Sequence, residues 1–277
     1  MKGKELIKLD HLSILEINGK GSFDLLQGQI TSDMEKVSED NCVMGSICDI
    51  KGRVMSSFIA VKNEKENNSF FLVGETKALE ATQTILEKYK PFYDCSVKQK
   101  EDIKFYAIEE DCLLRNFPES KLDISFQNYD SFFRLHYLEK KYHLVAFTES
   151  EEFEGYNISN DKLPWELDEI INQNFEITSE VINKYTPHEL GYHLNTRIDF
   201  EKGCYTGQEI VARMHYRAKK LPEIIVRSTN KEVKDLMKVY DKDSKVVGLI
   251  LSCTKTDNNY QCLLSMNKHY SGQDLDF

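Results

Sequence analysis

Between Leu12 and Ile17 apolar and polar positions alternate as in a short strand, and Asn18, Gly19 and Gly21 supply the turn after it. From Ser22 to Met34 the apolar residues Phe23, Leu26, Ile30 and Met34 fall three or four apart, which predicts one amphipathic helix. Two β-rich runs, Cys42 to Cys48 and Val54 to Val61, flank Asp49-Ile50-Lys51-Gly52 and predict a hairpin. Lys62 to Ser69 is polar and reads as a loop, after which Phe70 to Val73 resumes a strand. Ala78 to Tyr89 reads as a helix stopped near Pro91. Further strands are expected at Ile103 to Ile108, Phe132 to Leu138 and Tyr142 to Phe147. A helix with Pro164 in its first turn follows from Asp161 onward and carries Trp165, Leu167, Ile170 and Ile171. Beyond about Leu221, Ile224 to Arg227, Lys245 to Leu251 and Tyr260 to Leu264 read as strands with little helix between them, which suits a small β-barrel or sandwich. Interleaved strands and helices of this kind indicate an α+β fold.

Composition changes this picture in three ways. A chain of 277 residues allows two domains, and 40% hydrophobic residues supply the cores they need. The 36 Lys and Arg against 46 Asp and Glu leave a net charge of −10, which argues against a dedicated duplex-DNA binder. The seven cysteines are odd in number and contain no C-x-x-C pair, so neither a disulfide framework nor a zinc knuckle is expected. Lys8, Asp10 and His11 interrupt the apolar residues near the N-terminus, and the stretch Val246 to Leu251 is far too short to span a bilayer. A reduced, cytoplasmic protein without membrane attachment is the expectation.

The densest polar constellation is Asp199 to Lys220, DFEKGCYTGQEIVARMHYRAKK. Gly203 and Gly207 bracket Cys204, Tyr205 and Thr206, and both glycines are expected to allow positive φ or close backbone approach. Lys202 precedes the thiol by two residues, and a neighbouring cation favours the thiolate, the nucleophilic and metal-ligating form. Gln208 and Glu209 add hydrogen-bonding groups, and Arg213, His215, Arg217, Lys219 and Lys220 form a local positive cluster around Tyr216. Spacing alone leaves two readings open. Cys204 is either a small buried hydrophobe or a reactive thiol, and the basic cluster is either a solvated surface or a binding patch.

KGCYTGQE, Lys202 to Glu209, resembles the signature of the YgfZ family, folate-binding proteins related to the glycine-cleavage T-protein. LEINGKGSFDLLQGQITSD (Leu15 to Asp33) is similar to that family's N-terminal strand, glycine turn and helix, and CDIKGRVMSSF (Cys48 to Phe58) to its K-G-R/K hairpin. Tyr185-Thr186-Pro187 resembles the F-I-P that precedes the signature. The resemblance implies a T-protein-like, aminomethyltransferase folate-binding fold: interleaved α+β lobes over residues 1–220 and a C-terminal β-barrel over 221–277, arranged as a ring around a folate-binding opening.

It also implies a cofactor, tetrahydrofolate or a derivative, and a role in assembly or repair of 4Fe-4S enzymes, including those that methylthiolate tRNA. Client iron–sulfur proteins would then be partners, and direct nucleic-acid binding is not required. In this reading Cys204 is the key thiol, Lys202 sits beside it in the functional loop, and Trp165 stacks on folate. Arg213 and Arg217, with Gln208 and Glu209, face the anionic folate tail. No resident metal ligands are implied. A second tryptophan of some members falls here at Leu12. Where T-proteins carry an acidic pair after the hairpin, this chain has Ser56-Ser57, and a hydroxyl cannot serve as a carboxylate base near neutral pH. T-protein-type aminomethyl transfer is therefore disfavoured, while another folate-dependent one-carbon transfer, or a non-catalytic RNA or protein adaptor, stays open as the alternative.

Overall fold

The computed structural model describes residues 5–100, 103–147, 156–218 and 220–271, so Lys219 of the basic cluster lies outside the described residues. In chain order the elements begin with β1 (Glu5–Lys8), β2 (Leu12–Asn18), α1 (Ser22–Gln29), β3 (Val43–Cys48), β4 (Val54–Lys62) and β5 (Ser69–Glu75). Then come α2 (Thr76–Tyr89), β6 (Ser96–Lys100), β7 (Lys104–Glu109), α3 (Glu110–Asn116), β8 (Phe126–Asn128), β9 (Phe132–Leu135) and β10 (Tyr142–Phe147). The chain continues through β11 (Asn157–Ser159), α4 (Leu163–Ile171), α5 (Gln208–Arg217), β12 (Pro222–Thr229), β13 (Lys238–Tyr240), β14 (Val246–Lys255) and β15 (Tyr260–Asn267). Three sheets result, ordered β11-β1-β7-β10-β9-β8, β3-β4-β5-β2-β6 and β12-β15-β14-β13. The α+β class expected from the interleaving holds.

The five-stranded sheet is covered on both faces, and its sequence shows it. Along β2, Leu15 and Ile17 point into a core shared with α1 and α2, while Ile14 points the other way, toward Phe105, Phe133 and Leu144 of the six-stranded sheet. The second sheet closes its outer face with α3. β1 comes from the start of the chain yet pairs antiparallel with β7 and parallel with β11, so the two lobes are interleaved through the N-terminal strand. A further core joins Cys48 and Val54 of the hairpin to α4, Val211 of α5 and Leu251 and Leu263 of the C-terminal strands. Those C-terminal strands form a four-stranded antiparallel sheet with β12 and β13 at its edges, where the sequence suggested a barrel.

Two predicted elements are shorter than their periodicity. The helix expected over Ser22 to Met34 ends at Gln29, because Ile30 is extended (φ −93°, ψ 155°) and bridges to Ile47. Thr31 continues this link, its amide donating to Ser46 O at 2.9 Å. The strand expected over Phe132 to Leu138 stops at Leu135, and Leu138 turns the chain away with φ 59°. α3 and α5 are helices that the reading of the sequence did not assign.

Candidate functional site

A cavity of about 440 Å³ opens where the three sheets meet. Its wall takes Trp165 and Glu169 from α4, Leu12 at the start of β2, Tyr137 after β9, Asn174 and Glu176 from the segment after α4, and Cys253 from β14. α4 is amphipathic, with Pro164 in its first turn and Trp165, Asp168 and Ile170 buried, so packing its apolar stripe on the junction delivers Trp165 to the wall. Leu12 lines the same cavity, so the place of the second tryptophan and Trp165 do share one pocket.

Trp165 is not an open stacking platform. Its ring is 5% exposed and belongs to the core between the two large sheets. The Lys140 ammonium lies 3.3 Å from the ring centroid on one face, a cation–π contact made inside the protein. Lys140 itself is buried, which lowers its pKa, and Glu169 opposes that shift by pairing with it. The face of the ring that remains is what a ligand can meet.

The polar floor below the tryptophan is a connected network that sequence reasoning missed. Arg197, fully buried, donates to Gly45 O at 3.2 Å, Phe58 O at 3.1 Å and Asn174 Oδ1 at 3.0 Å, and pairs with Glu176. Burial opposes ionisation of Glu176, but Arg197, Ser57 and Asn174 outweigh it and hold the carboxyl below its ordinary range. Ser57 Oγ donates to Glu176 at 2.7 Å and accepts the Ile177 amide at 2.8 Å, while Ser56 is hydrogen-bonded to Thr82 in the interior. Neither serine is free to react. The floor ties the segment from Asn174 to Arg197 to Gly45, Ser57 and Phe58, 119 to 152 residues earlier in the chain, and no local motif signals it.

A carboxylate offers about four lone-pair sites. Glu176 accepts from Arg197, Asn174 and Ser57, and Glu169 from Lys140, Tyr137 and Asn174. Each keeps one acceptor position in a cavity whose other walls are largely apolar.

The Cys204 loop is built differently. Lys202 is buried and its ammonium donates to Gln27 O, Ile30 O and Ser32 O, each at 2.8 Å. Those carbonyls lie at and beyond the end of α1, so Lys202 caps the helix that stops early. Burial lowers its amine to about 8 against the attraction of Asp33 and Asp199. All three donors are consumed, which replaces the expected role beside the thiol with an anchoring one. Tyr205 is buried, and Thr206 ties back to α1 through its amide on Gly28 O and its hydroxyl on Gln29 Oε1. Between these anchors Cys204 is the one exposed cysteine of the seven.

Gly207 meets its expectation: φ is 85°, and an added Cβ would lie 2.5 Å from Asp49 O. Gly203 has no positive φ, and open space surrounds it.

The predicted ligand residues divide. Gln208, Glu209, Arg213 and Arg217 lie on α5, outside the Trp165 cavity. Arg213 pairs with Glu209 one turn away at 2.7 Å, and both are exposed, as is Arg217. α5 instead turns His215 and Tyr216 toward a larger cleft of about 910 Å³, which shares only Tyr137 with the first. Cys204 lines neither. Behind α5, His215 stacks on Phe200 at 3.7 Å, and His188 and His193 pack beside it.

One further cluster, Glu110, His136 and His143, has metal-like ligand types. Its hydrogen bonds are internal: Arg134 donates to His143 Nδ1 at 3.0 Å, which leaves Nε2 to donate to Glu110 at 3.3 Å. That proton occupies the position a metal would need.

The geometry defines a class: an α+β protein with a walled cavity between its lobes and a fixed, exposed thiol on a separate loop. The solved glycine cleavage system aminomethyltransferase T from Bartonella henselae has this fold, with a TM-score of 0.71 at 13% identity over 95% of this chain and 78% of that one. In sequence, the chain is 29% identical to the tRNA-modifying protein YgfZ of Colwellia psychrerythraea, over 77% of this chain and 68% of the relative. It is 26% identical to the tRNA-modifying protein YgfZ of Buchnera aphidicola subsp. Baizongia pistaciae, over 96% and 88%. No protein-family model matches the chain. The resemblance to the YgfZ proteins, read first from KGCYTGQE, thus extends over most of the chain and rests on a T-protein fold.

Proposed function

We propose that this chain is a folate-binding accessory factor for assembly or repair of 4Fe-4S enzymes, including those that methylthiolate tRNA, with Cys204 as its working thiol. The observation that carries the reading is the pair of unused acceptor positions on Glu169 and Glu176 beside the remaining face of Trp165. A pterin ring is flat and presents two neighbouring donors, its ring N–H and its exocyclic amine. Two carboxylates under an aromatic wall match that edge in shape and in hydrogen-bonding sense. Tetrahydrofolate, when bound, supplies a carrier for one-carbon groups.

The chain's own contributions are to exclude water from the ring, orient it through Trp165 and Leu12, and fix both carboxylates by pairing Glu176 with Arg197 and Glu169 with Lys140. The carboxylate nearest Ser57 is Glu176, and an ion-paired carboxylate held below its ordinary range is a weak proton acceptor. This supports the reading that T-protein-type aminomethyl transfer is not the activity. Cys204 stands outside the cavity, where it can meet a protein-sized partner. Trp165 is the only tryptophan, so fluorescence reports the cavity alone. Titration with tetrahydrofolate is expected to quench it to saturation; unchanged emission throughout the titration sinks the cofactor assignment.

One observation favours a second use of the surface. Tyr216 is 65% exposed beside Arg213, Arg217 and Lys220, all outside the cavity, as an adaptor contact to a protein or RNA requires. Arg217→Glu with Lys220→Glu should then weaken partner capture and leave the quenching by tetrahydrofolate intact.

A further inference from the structure

Cys253 and Cys262 stand directly opposite each other on β14 and β15. Opposed residues of an antiparallel pair project to the same face, with Cα atoms about 4.5 or 5.5 Å apart according to their place in the ladder. A disulfide needs a Cα separation of about 4.4–6.8 Å, so either place permits one. Both thiols are free, and the hydrogen bond between them is the largest influence on each, pushing the Cys253 thiol up and the Cys262 thiol down. Among the described residues no other cysteine faces a cysteine across a ladder.

Their surroundings differ in a useful way. Cys262 is fully buried in the outer core of the C-terminal sheet with Val239, Ile250 and Leu264. Cys253 is half-buried against that core and also lines the Trp165 cavity, beside Ser252 and Asp235, whose carboxylate accepts the Cys253 amide at 2.7 Å. One sulfur is therefore reachable from outside, and the other is positioned behind it.

We propose that Cys253 and Cys262 form a reversible dithiol–disulfide site on the wall of the Trp165 cavity, oxidised by a low-molecular-weight disulfide. Cys253, the reachable sulfur, passes its proton to the ionised Cys262 sulfur and attacks one sulfur of the reagent, forming a mixed disulfide and expelling one thiolate. Cys262 then loses its proton and attacks the Cys253 sulfur, forming the protein disulfide and expelling the second thiolate. The protein gives up two electrons and two protons, and the reagent leaves as two thiols. The hairpin holds the partners opposite each other, so the second step is intramolecular and outcompetes capture of another molecule. The disulfide fixes Cys253 to β15 and with it one side of the cavity. The site depends on the ladder register and on cavity access, and stands apart from the identity of the cavity's ligand.

The test equilibrates the full-length protein with glutathione at graded ratios of oxidised to reduced form, blocks free thiols by alkylation and maps the peptides by mass spectrometry. Trypsin cuts at Lys245, Lys255 and Lys268, which puts the two thiols on separate peptides. The expected result is a cross-linked pair of these peptides that grows with oxidised glutathione and vanishes with dithiothreitol. In Cys262→Ser the cross-link is replaced by glutathione retained on Cys253. Alkylation of both thiols at every ratio overturns the proposal. So does a wild-type protein that retains glutathione on Cys253 without the cross-link, because Cys262 then fails to resolve it.

Discussion

The Trp165 cavity and the Cys204 loop solve opposite problems with similar means. In the cavity, charges are buried and paired: the two Nη atoms of Arg197 bond Gly45, Phe58, Asn174 and Glu176, and Lys140 sits against the tryptophan ring. In the loop, charge is buried so that something else stays outside. Lys202 sinks into three carbonyls, Tyr205 packs inward, and the thiol between them is left in solvent. A buried ion holds shape only when its hydrogen bonds are filled. The cavity uses that shape to enclose a site, and the loop uses it to present one.

The cavity should break hardest. Arg197→Met removes the guanidinium donors of the floor and leaves Glu176 partly buried without its cation, a change that costs about 3–5 kcal/mol when one partner of a buried pair is removed. Urea unfolding should show the midpoint fall accordingly, with Trp165 as the probe. A loss below about 1 kcal/mol would mean that the network does not hold the floor.

The next effect is acid sensitivity, which belongs to neither site but to the histidines packed behind them. Burial, with His193 and His215 adding to it, lowers His188 to about 4, and burial with His136, Arg134 and Lys140 lowers His143 to about 3. An unfolded histidine titrates near 6.5. Above that pH neither state is protonated and the stability is complete. As pH falls below 6.5, the unfolded chain takes up protons that the folded chain refuses, so stability declines toward the folded values. For His188 alone the loss by pH 4 is about 2–4 kcal/mol. Urea midpoints measured from pH 7.5 down to 4.5 should drop steadily, and His188→Phe should flatten part of the slope. A level profile in the wild-type chain removes these histidines from the account.

How much of this was legible in the sequence follows the same division. The loop is a local motif, and its residues could be picked out from the spacing of Lys202, Cys204 and Gly207. What spacing could not show was direction: that Lys202 points away from the thiol, and that Gly203 has no conformational duty. The β-rich runs of β3 and β4 on either side of Asp49 to Gly52 place the hairpin, and Pro164 places α4, because those signals come from neighbouring residues. α1 was read too long because its end is set by Lys202 and Ser46, one of them 170 or more residues away in the chain. The cavity floor failed for the same reason. Arg197 and Glu176 carry no mark in sequence, Ser57 is marked there only as the replacement of a carboxylate, and only the fold makes the three neighbours. Arg213 and Arg217 stand out by charge and Gln208 and Glu209 by hydrogen-bonding capacity, and neither property near a motif says which cleft a helix faces.

The smallest structural effect carries the sharpest functional one. Cys204 is exposed, and Cys204→Ser replaces one sulfur by oxygen in a loop whose anchors are Lys202, Tyr205 and Thr206. Surface changes away from packing or buried hydrogen bonds stay within about 0.5 kcal/mol, so the urea midpoint should not move measurably. Quenching of Trp165 by tetrahydrofolate should also be unchanged, because the thiol lines neither cleft. What the proposed function expects to disappear is complementation: if loss of the chain lowers tRNA methylthiolation, the variant should leave that defect unrepaired. Full repair by a stable, ligand-binding Cys204→Ser protein would reduce the thiol to a bystander and make the cavity the whole of the function. Loss of repair together with intact quenching would instead assign separate tasks to the two regions, with the ligand held inside and the chemistry done at the surface.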